Sequence, residues 1–295
     1  MPSVRLTKGM DSKFVDTEWP SPITEWAVPL ASQQGDAWWA SGTAVIVAPF
    51  LAITAKHVID DHWLRQEGST RPEGVEGAGS FSLVAVQVTE VLGAAMWAVR
   101  KIWPSPHSDI AFLKLEPFNE AATKHKWRWP TLNVLPPAVG SRVSAFGYHS
   151  SFVSPGDPIE WRQAASTSHG RVEEVFDVRR DAVQLTYPCF SVDARFDGGM
   201  SGGPVFNEAG ELCGLICSSI PAVAPETRHT SYVTSLWPAL GIPLDMDRVG
   251  KPSGYYPAIE LAQGGEIVAR NWQRVGVDFE SPRTSAVSLR PQGAT

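Results

Sequence analysis

The chain has 295 residues, 43% hydrophobic and 19% charged, which is enough apolar material for an ordinary core and too much for a disordered polypeptide. A formal net charge of −6 lacks the basic footprint of nucleic-acid binders, so no nucleic-acid partner is expected. Nor is there a run of about 18 apolar residues that could cross a membrane as a helix, so no membrane partner is expected either.

Short apolar or alternating runs then recur along the chain, punctuated by Gly, Pro, Ser and Asp, a pattern that argues an all-β sandwich or barrel. Residues 1–34 form a partly polar lead-in, without the apolar h-region of a signal peptide, and 26–30 is its one strand-like run. Strands are expected at 42–48, at 52–57 ending in His57, at 81–88, at 95–103 and at 110–115 after Asp109. The Gly- and Glu-rich stretch 64–80 reads as a surface loop, and 132–137, with Pro136-Pro137, as a linker. Further strands are expected at 142–148, 170–176, 182–187, 204–207, 211–218 and 231–235, with 149–167 read as a long loop around Pro155-Gly156-Asp157-Pro158. Residues 256–270 suit a hairpin about Gly264-Gly265, and 281–295 read as disordered.

Three of these runs carry chemistry. Asp197-Gly198-Gly199-Met200-Ser201-Gly202-Gly203-Pro204 sets a serine among glycines, whose backbone can turn consecutive N–H groups toward one spot. An acyl-transfer nucleophile needs such donors where its oxyanion forms. Upstream, Thr54-Ala55-Lys56-His57-Val58 ends an apolar strand at a histidine, and Ser108-Asp109-Ile110-Ala111 opens another at an aspartate. Any one of these alone reads as a loop, a turn or a cap. Together, the order His57, Asp109, Ser201 is the one used by chymotrypsin-like barrels.

In these residues the chain resembles the trypsin-like (chymotrypsin-fold) serine peptidases, closest to the bacterial, disulfide-free branch with the Deg/HtrA-type proteases. Ser41-Gly42-Thr43-Ala44, Gly147-Tyr148, His169-Gly170-Arg171-Val172 and Gly210-Glu211-Leu212-Cys213-Gly214-Leu215 are further landmarks, and the likeness spans about residues 35–240. The resemblance implies two six-stranded antiparallel barrels, about 35–132 and 138–240, with the site in the cleft between them, and a C-terminal extension over 241–295. It implies Ser201 as nucleophile, His57 as general base and acid, Asp109 as its orienting carboxylate, and the N–H groups of Gly199 and Ser201 as the oxyanion hole. The substrate is expected to be a protein or peptide, with no cofactor and no metal.

Secreted trypsins carry an aspartate before the serine that pairs with a new N-terminal ammonium; here Met200 stands there, uncharged and at best a weak acceptor. The oxyanion loop is therefore expected to be ordered constitutively or by an activating partner protein, without N-terminal trimming. The family's pattern gives Arg195 two readings. Either it lies at the base of the specificity pocket and selects an acidic P1 residue, or, more plainly, it faces solvent paired with Asp193 or Asp197. Cys217, Ser218 and Ser219 are expected as pocket wall, their backbone pairing with substrate. Cys213 and Cys217, four apart on a strand, stand roughly 13 Å apart, too far for a disulfide, and three cysteines cannot all pair; a reducing compartment, the cytoplasm, is expected. His62, His107, His125, His149 and His169 are expected in ordinary surface or turn roles. Two alternatives remain: an esterase elbow, which needs a helix after Ser201 with Asp and His downstream, and a catalytically silent, protease-fold binding module.

Overall fold

The computed structural model describes residues 14–17, 21–34, 37–64, 81–89, 93–154, 160–220, 229–247, 253–281 and 284–290. The loop expected at 64–80 and the Pro155–Pro158 turn therefore lie almost wholly outside the described residues. A short strand β1 (Phe14–Asp16) comes first. The first barrel follows: β2 (Ala27–Gln34), β3 (Ala37–Ala48), β4 (Leu51–Thr54), helix α1 (Lys56–Leu64), β5 (Phe81–Thr89), β6 (Gly93–Pro104) and β7 (Ala111–Pro117). Its six strands close in the order β2-β3-β4-β7-β6-β5, every pair antiparallel. Alternate residues point inward. Inside, the small side chains of Ala44, Ala52, Ala85 and Ala95 leave room for the fully buried Trp97, whose indole N–H donates to Gln87 Oε1 at 3.1 Å.

Between the barrels run α2 (Glu120–Thr123) and β8 (Leu132–Asn133). The second barrel comprises β9 (Arg142–Ser154), β10 (Glu160–Phe176), β11 (Cys189–Val192), β12 (Pro204–Phe206), β13 (Leu212–Ile220) and β14 (Thr230–Ser235). The sheet runs β12-β9-β10-β11-β14-β13, and a further β12–β13 pairing closes it. The fold is the chymotrypsin-like double barrel, all-β. Beyond it come β15 (Pro243–Met246), β16 (Gly254–Pro257), α3 (Ala258–Gly264), β17 (Ala269–Arg270), β18 (Val275–Ser281) and β19 (Thr284–Leu289). One apolar cluster joins the parts: Val45, Ile53 and Phe112 of the first barrel, Phe206 and Leu215 of the second, and Leu244 and Leu261 beyond it.

Several local expectations give way to tertiary context. The stretch 149–167 is mostly strand, the ends of a long β9–β10 ribbon. Its Ser and Thr residues look like loop by composition, but hydroxyls find cross-strand partners: Ser166 with His149 Nε2 (2.7 Å) and Thr167 with Thr17 (2.9 Å). Residues 182–187 are not a strand; the Asp181 carboxylate accepts the N–H groups of Val183, Gln184 and Leu185 and curls the chain into a loop. Gly264-Gly265 closes a helix, with Gly265 at φ 81° in the left-handed cap position, rather than turning a hairpin. Helix α3 buries Ala258, Ile259, Leu261 and Ala262 on one face. Of the segment expected to be disordered, Thr284–Leu289 pairs antiparallel with β18. Cys189, Cys213 and Cys217 are free and buried.

Candidate active site

Strand β4 is buried along its whole length and delivers the chain into α1, whose second residue is His57. Val58 and Ile59 anchor that helix in the barrel core. Across from it, Asp109 precedes β7 and is nearly buried, its side chain 7% exposed against 37% for His57. One carboxylate serves two donors: Oδ1 accepts the main-chain N–H of His57 at 2.9 Å, and Oδ2 lies 2.7 Å from ring Nδ1. A carboxylate can only accept, so Nδ1 carries the proton and Nε2 keeps its lone pair. Burial pulls the His57 pKa down, but the hydrogen bond and charge of Asp109, with Asp61 and Asp60 adding, outweigh it and leave it above the usual 6.5.

Ser201 enters from the second barrel on the turn between β11 and β12. The turn is stapled to the first barrel by Thr43: its N–H donates to Ser201 O (2.9 Å), its hydroxyl to Gly199 O (3.3 Å), while Tyr148 N–H donates to Thr43 Oγ1 (3.1 Å). Gly202, at φ 80°, lies flush against this staple, where a Cβ would come within 2.2 Å of Thr43 O and of Thr54 Oγ1. Gly199 takes φ 97°, and the Met200 N–H turns back to Asp197 O (3.1 Å). Among the described residues, neither the Gly199 nor the Ser201 N–H has a protein acceptor. Unpaired amides are uncommon, and two of them flanking one residue in a turn are the arrangement an oxyanion would use. Met200 itself is fully buried, packed in the second barrel's core, and its Sδ accepts the Asp197 N–H at 3.2 Å.

Ser201 and His57 come from opposite barrels. Gly42 stands between the Ser201 turn and Val58, the residue after His57: its Cβ position is 2.8 Å from Val58 Cγ1 and 3.0 Å from Ser201 O. The Ser201 hydroxyl has no hydrogen-bond partner among the described residues, so the link to His57 is not closed. A cavity of about 1060 Å³ opens on the His57–Asp109 side, lined also by Tyr187, Cys217, Ser218 and Ser219. Neither Ser201 nor Arg195 is part of that lining. The Arg195 guanidinium makes a two-pronged contact with Asp197, both distances 2.7 Å, and lies over the Phe14 ring; the Asp197 pairing is that of the plainer of its two readings. The esterase elbow falls: Ser201 is followed by strand β12, not a helix, and the partnered Asp and His lie upstream.

Sequence reasoning missed three contributors. Thr43 is an ordinary strand residue until its partners are known. His107 precedes Asp109 by two residues and its Nε2 meets Ser285 O at 3.0 Å, tying β19 to the Asp109 segment. Ala286 and Val287 of that strand line the cavity. His62 departs from its expected surface role: it is buried and bonded to Ser32 Oγ.

Residues 42–215, more than half of the chain, match the model of the trypsin-like peptidase domain. The chain belongs to that family. Among solved structures it is similar to the Rv3671c protease of M. tuberculosis in its inactive form, with 17% identity, a TM-score of 0.43, and coverage of 72% of this chain and 84% of that one. It is also similar to the MamO protease domain of Magnetospirillum magneticum, with 17% identity, a TM-score of 0.45, and coverage of 72% and 93% respectively. No curated protein matches the chain significantly.

Proposed function

We propose that this chain is a serine endopeptidase acting through His57, Asp109 and Ser201. The observation that carries the reading is the Asp109 carboxylate holding both the ring and the main chain of His57, beside a turn with two unpaired N–H groups. In the reaction, His57 Nε2 takes the Ser201 proton as Oγ attacks the scissile carbonyl. Asp109 keeps the imidazole tautomer and stabilises the imidazolium. The N–H groups of Gly199 and Ser201 receive the oxyanion, and His57 then hands its proton to the leaving amine as the C–N bond breaks. Water, deprotonated by the same imidazole, releases the acyl group.

The substrate is an extended peptide. Over residues 218–220, β13 pairs with β14 on one edge, leaving the other facing the cavity beside Cys217, Ser218 and Ser219. A peptide can add there as a strand. Buried Met200 orders the loop from within the barrel, so no N-terminal trimming is needed. The open Ser201–His57 link is the one observation favouring a silent form that a partner protein activates, although such bonds often close only in the substrate complex. Cleavage of a diverse peptide library by wild type beside Ser201→Ala, with fluorophosphonate labelling of both, tests the reading. Cleavage and labelling lost in the variant support it; a wild type that neither cleaves nor labels overturns it.

A further inference from the structure

The turn that offers the two amides is gripped from a part of the chain far from it in sequence. Strand β1 pairs antiparallel with β10, Phe14 opposite Ser168 and Asp16 opposite Ser166. Thr17 N–H donates to Ala165 O (2.8 Å), and Ser166 Oγ donates to Asp16 Oδ1 (3.2 Å). So fastened, β1 sinks Phe14 to 6% exposure in the cluster that also holds Ala194, Phe196 and Met200. The ring face of Phe14 lies 4.5 Å from the Arg195 guanidinium carbon. That guanidinium is held flat by its paired contacts with Asp197.

Asp197 is the residue that shapes the turn. Its carbonyl takes the Met200 N–H and its own N–H goes to Met200 Sδ, while the amides on either side of Met200 have no acceptor among the described residues. From the other side, Phe14 stands 6.0 Å, centroid to centroid, from the His149 ring. The backbone of Tyr148 and His149 is the surface against which Gly199 lies, within 3.0–3.3 Å of its Cβ position. One side chain thus reaches both the segment that enters the turn and the strand beneath it.

We propose that Phe14 is a positioning residue for the oxyanion-binding amides, acting through Arg195 and Asp197 on one side and His149 on the other. The inference rests on the peptidase reading for its effect on turnover, but not for its effect on the turn. An aromatic face is required, because an aliphatic residue fills the volume without attracting the guanidinium. The role is one the nucleophile loop needs filled: Met200 supplies burial but no charge, and the Arg195–Asp197 pair stays partly open to solvent even with the Phe14 ring over the guanidinium.

The test compares wild type, Phe14→Ala, Phe14→Leu and Phe14→Tyr by steady-state kinetics and by hydrogen exchange of the peptide spanning 195–201. Expected is a fall in kcat of about 10-fold or more for Phe14→Ala and Phe14→Leu with KM within about 2-fold, since an amide that misses the oxyanion costs transition-state binding alone. Exchange over 195–201 rises in the same two variants, while the first barrel stays as in wild type, and Phe14→Tyr restores both readouts. Wild-type kcat and exchange in Phe14→Ala overturn the proposal. So does a loss of protection spread evenly over the second barrel, or full activity in Phe14→Leu, either of which reduces Phe14 to core filling. If wild type fails to label with fluorophosphonate, the peptidase reading fails on its own, and the exchange comparison still decides whether Phe14 holds the turn.

Discussion

His62 makes the fold sensitive to acid in a way that can be isolated. It is 3% exposed, on the same helix as His57, and its Nδ1 is engaged by Ser32 Oγ, which also meets Ser41 Oγ. Burial lowers its pKa from 6.5 to about 4. In the unfolded chain the ring takes a proton near pH 6.5; in the folded chain it resists until about pH 4. Between those values the unfolded state binds more protons, so stability falls as pH falls. The gap is worth about 3 kcal/mol of stability, fully present above about pH 7 and fully lost below the folded value. Replacing His62 by Gln keeps a polar group for Ser32 and removes the titration. Urea midpoints at pH 7.5, 6, 5 and 4 should show wild type losing about 3 kcal/mol more than His62→Gln across the series. Other groups, such as His125 lowered by burial, titrate in both proteins and cancel in the difference. Parallel decline of the two proteins would refute the reasoning, because it would mean that His62 is solvated or already charged.

Asp109→Asn should lower kcat about 10⁴-fold with the fold intact, because an amide cannot hold His57 in the tautomer that leaves Nε2 free. In wild type, kcat/KM should fall as pH drops through a His57 pKa above 6.5, and the Asn variant should shift that limb to lower pH; a limb unmoved by the substitution would exclude Asp109 as its cause. Gly202→Ala should destabilise by at least about 2 kcal/mol, since it combines a positive φ with a Cβ 2.2 Å from Thr43 O, and a melting temperature within a degree of wild type would contradict the staple. Ala286→Trp, on the exposed rim of the cavity, should raise KM for long peptides several-fold and leave small ester substrates untouched; equal KM values for both would remove β19 from the substrate path.

The family and the three candidate residues were legible in the sequence because their signals are written in local context. His57 after an apolar strand, Asp109 before another, and Ser201 among glycines each need only their neighbours to be noticed, and their order named the fold. Alternation likewise marked most strands of both barrels, since one face of every strand must be apolar. Where composition was the only guide it misled. Ser166 and Thr167 read as loop until a partner strand accepted their hydroxyls, and Gly264-Gly265 as a hairpin until α3 found an apolar face to cover.

What tertiary structure alone decided are the relations between distant residues. The Asp197 pairing of Arg195 was one of its two sequence readings, but the Phe14 ring laid over the guanidinium from some 180 positions away was in neither. Thr43 becomes a staple only because the second barrel presents two carbonyls to it, and Ala286 a cleft wall only because His107 grips Ser285. A side chain's type and neighbours set what it can donate, accept or bury. Which of those capacities is used depends on contacts whose free energy arises only when both barrels have closed, and no window of sequence contains both partners.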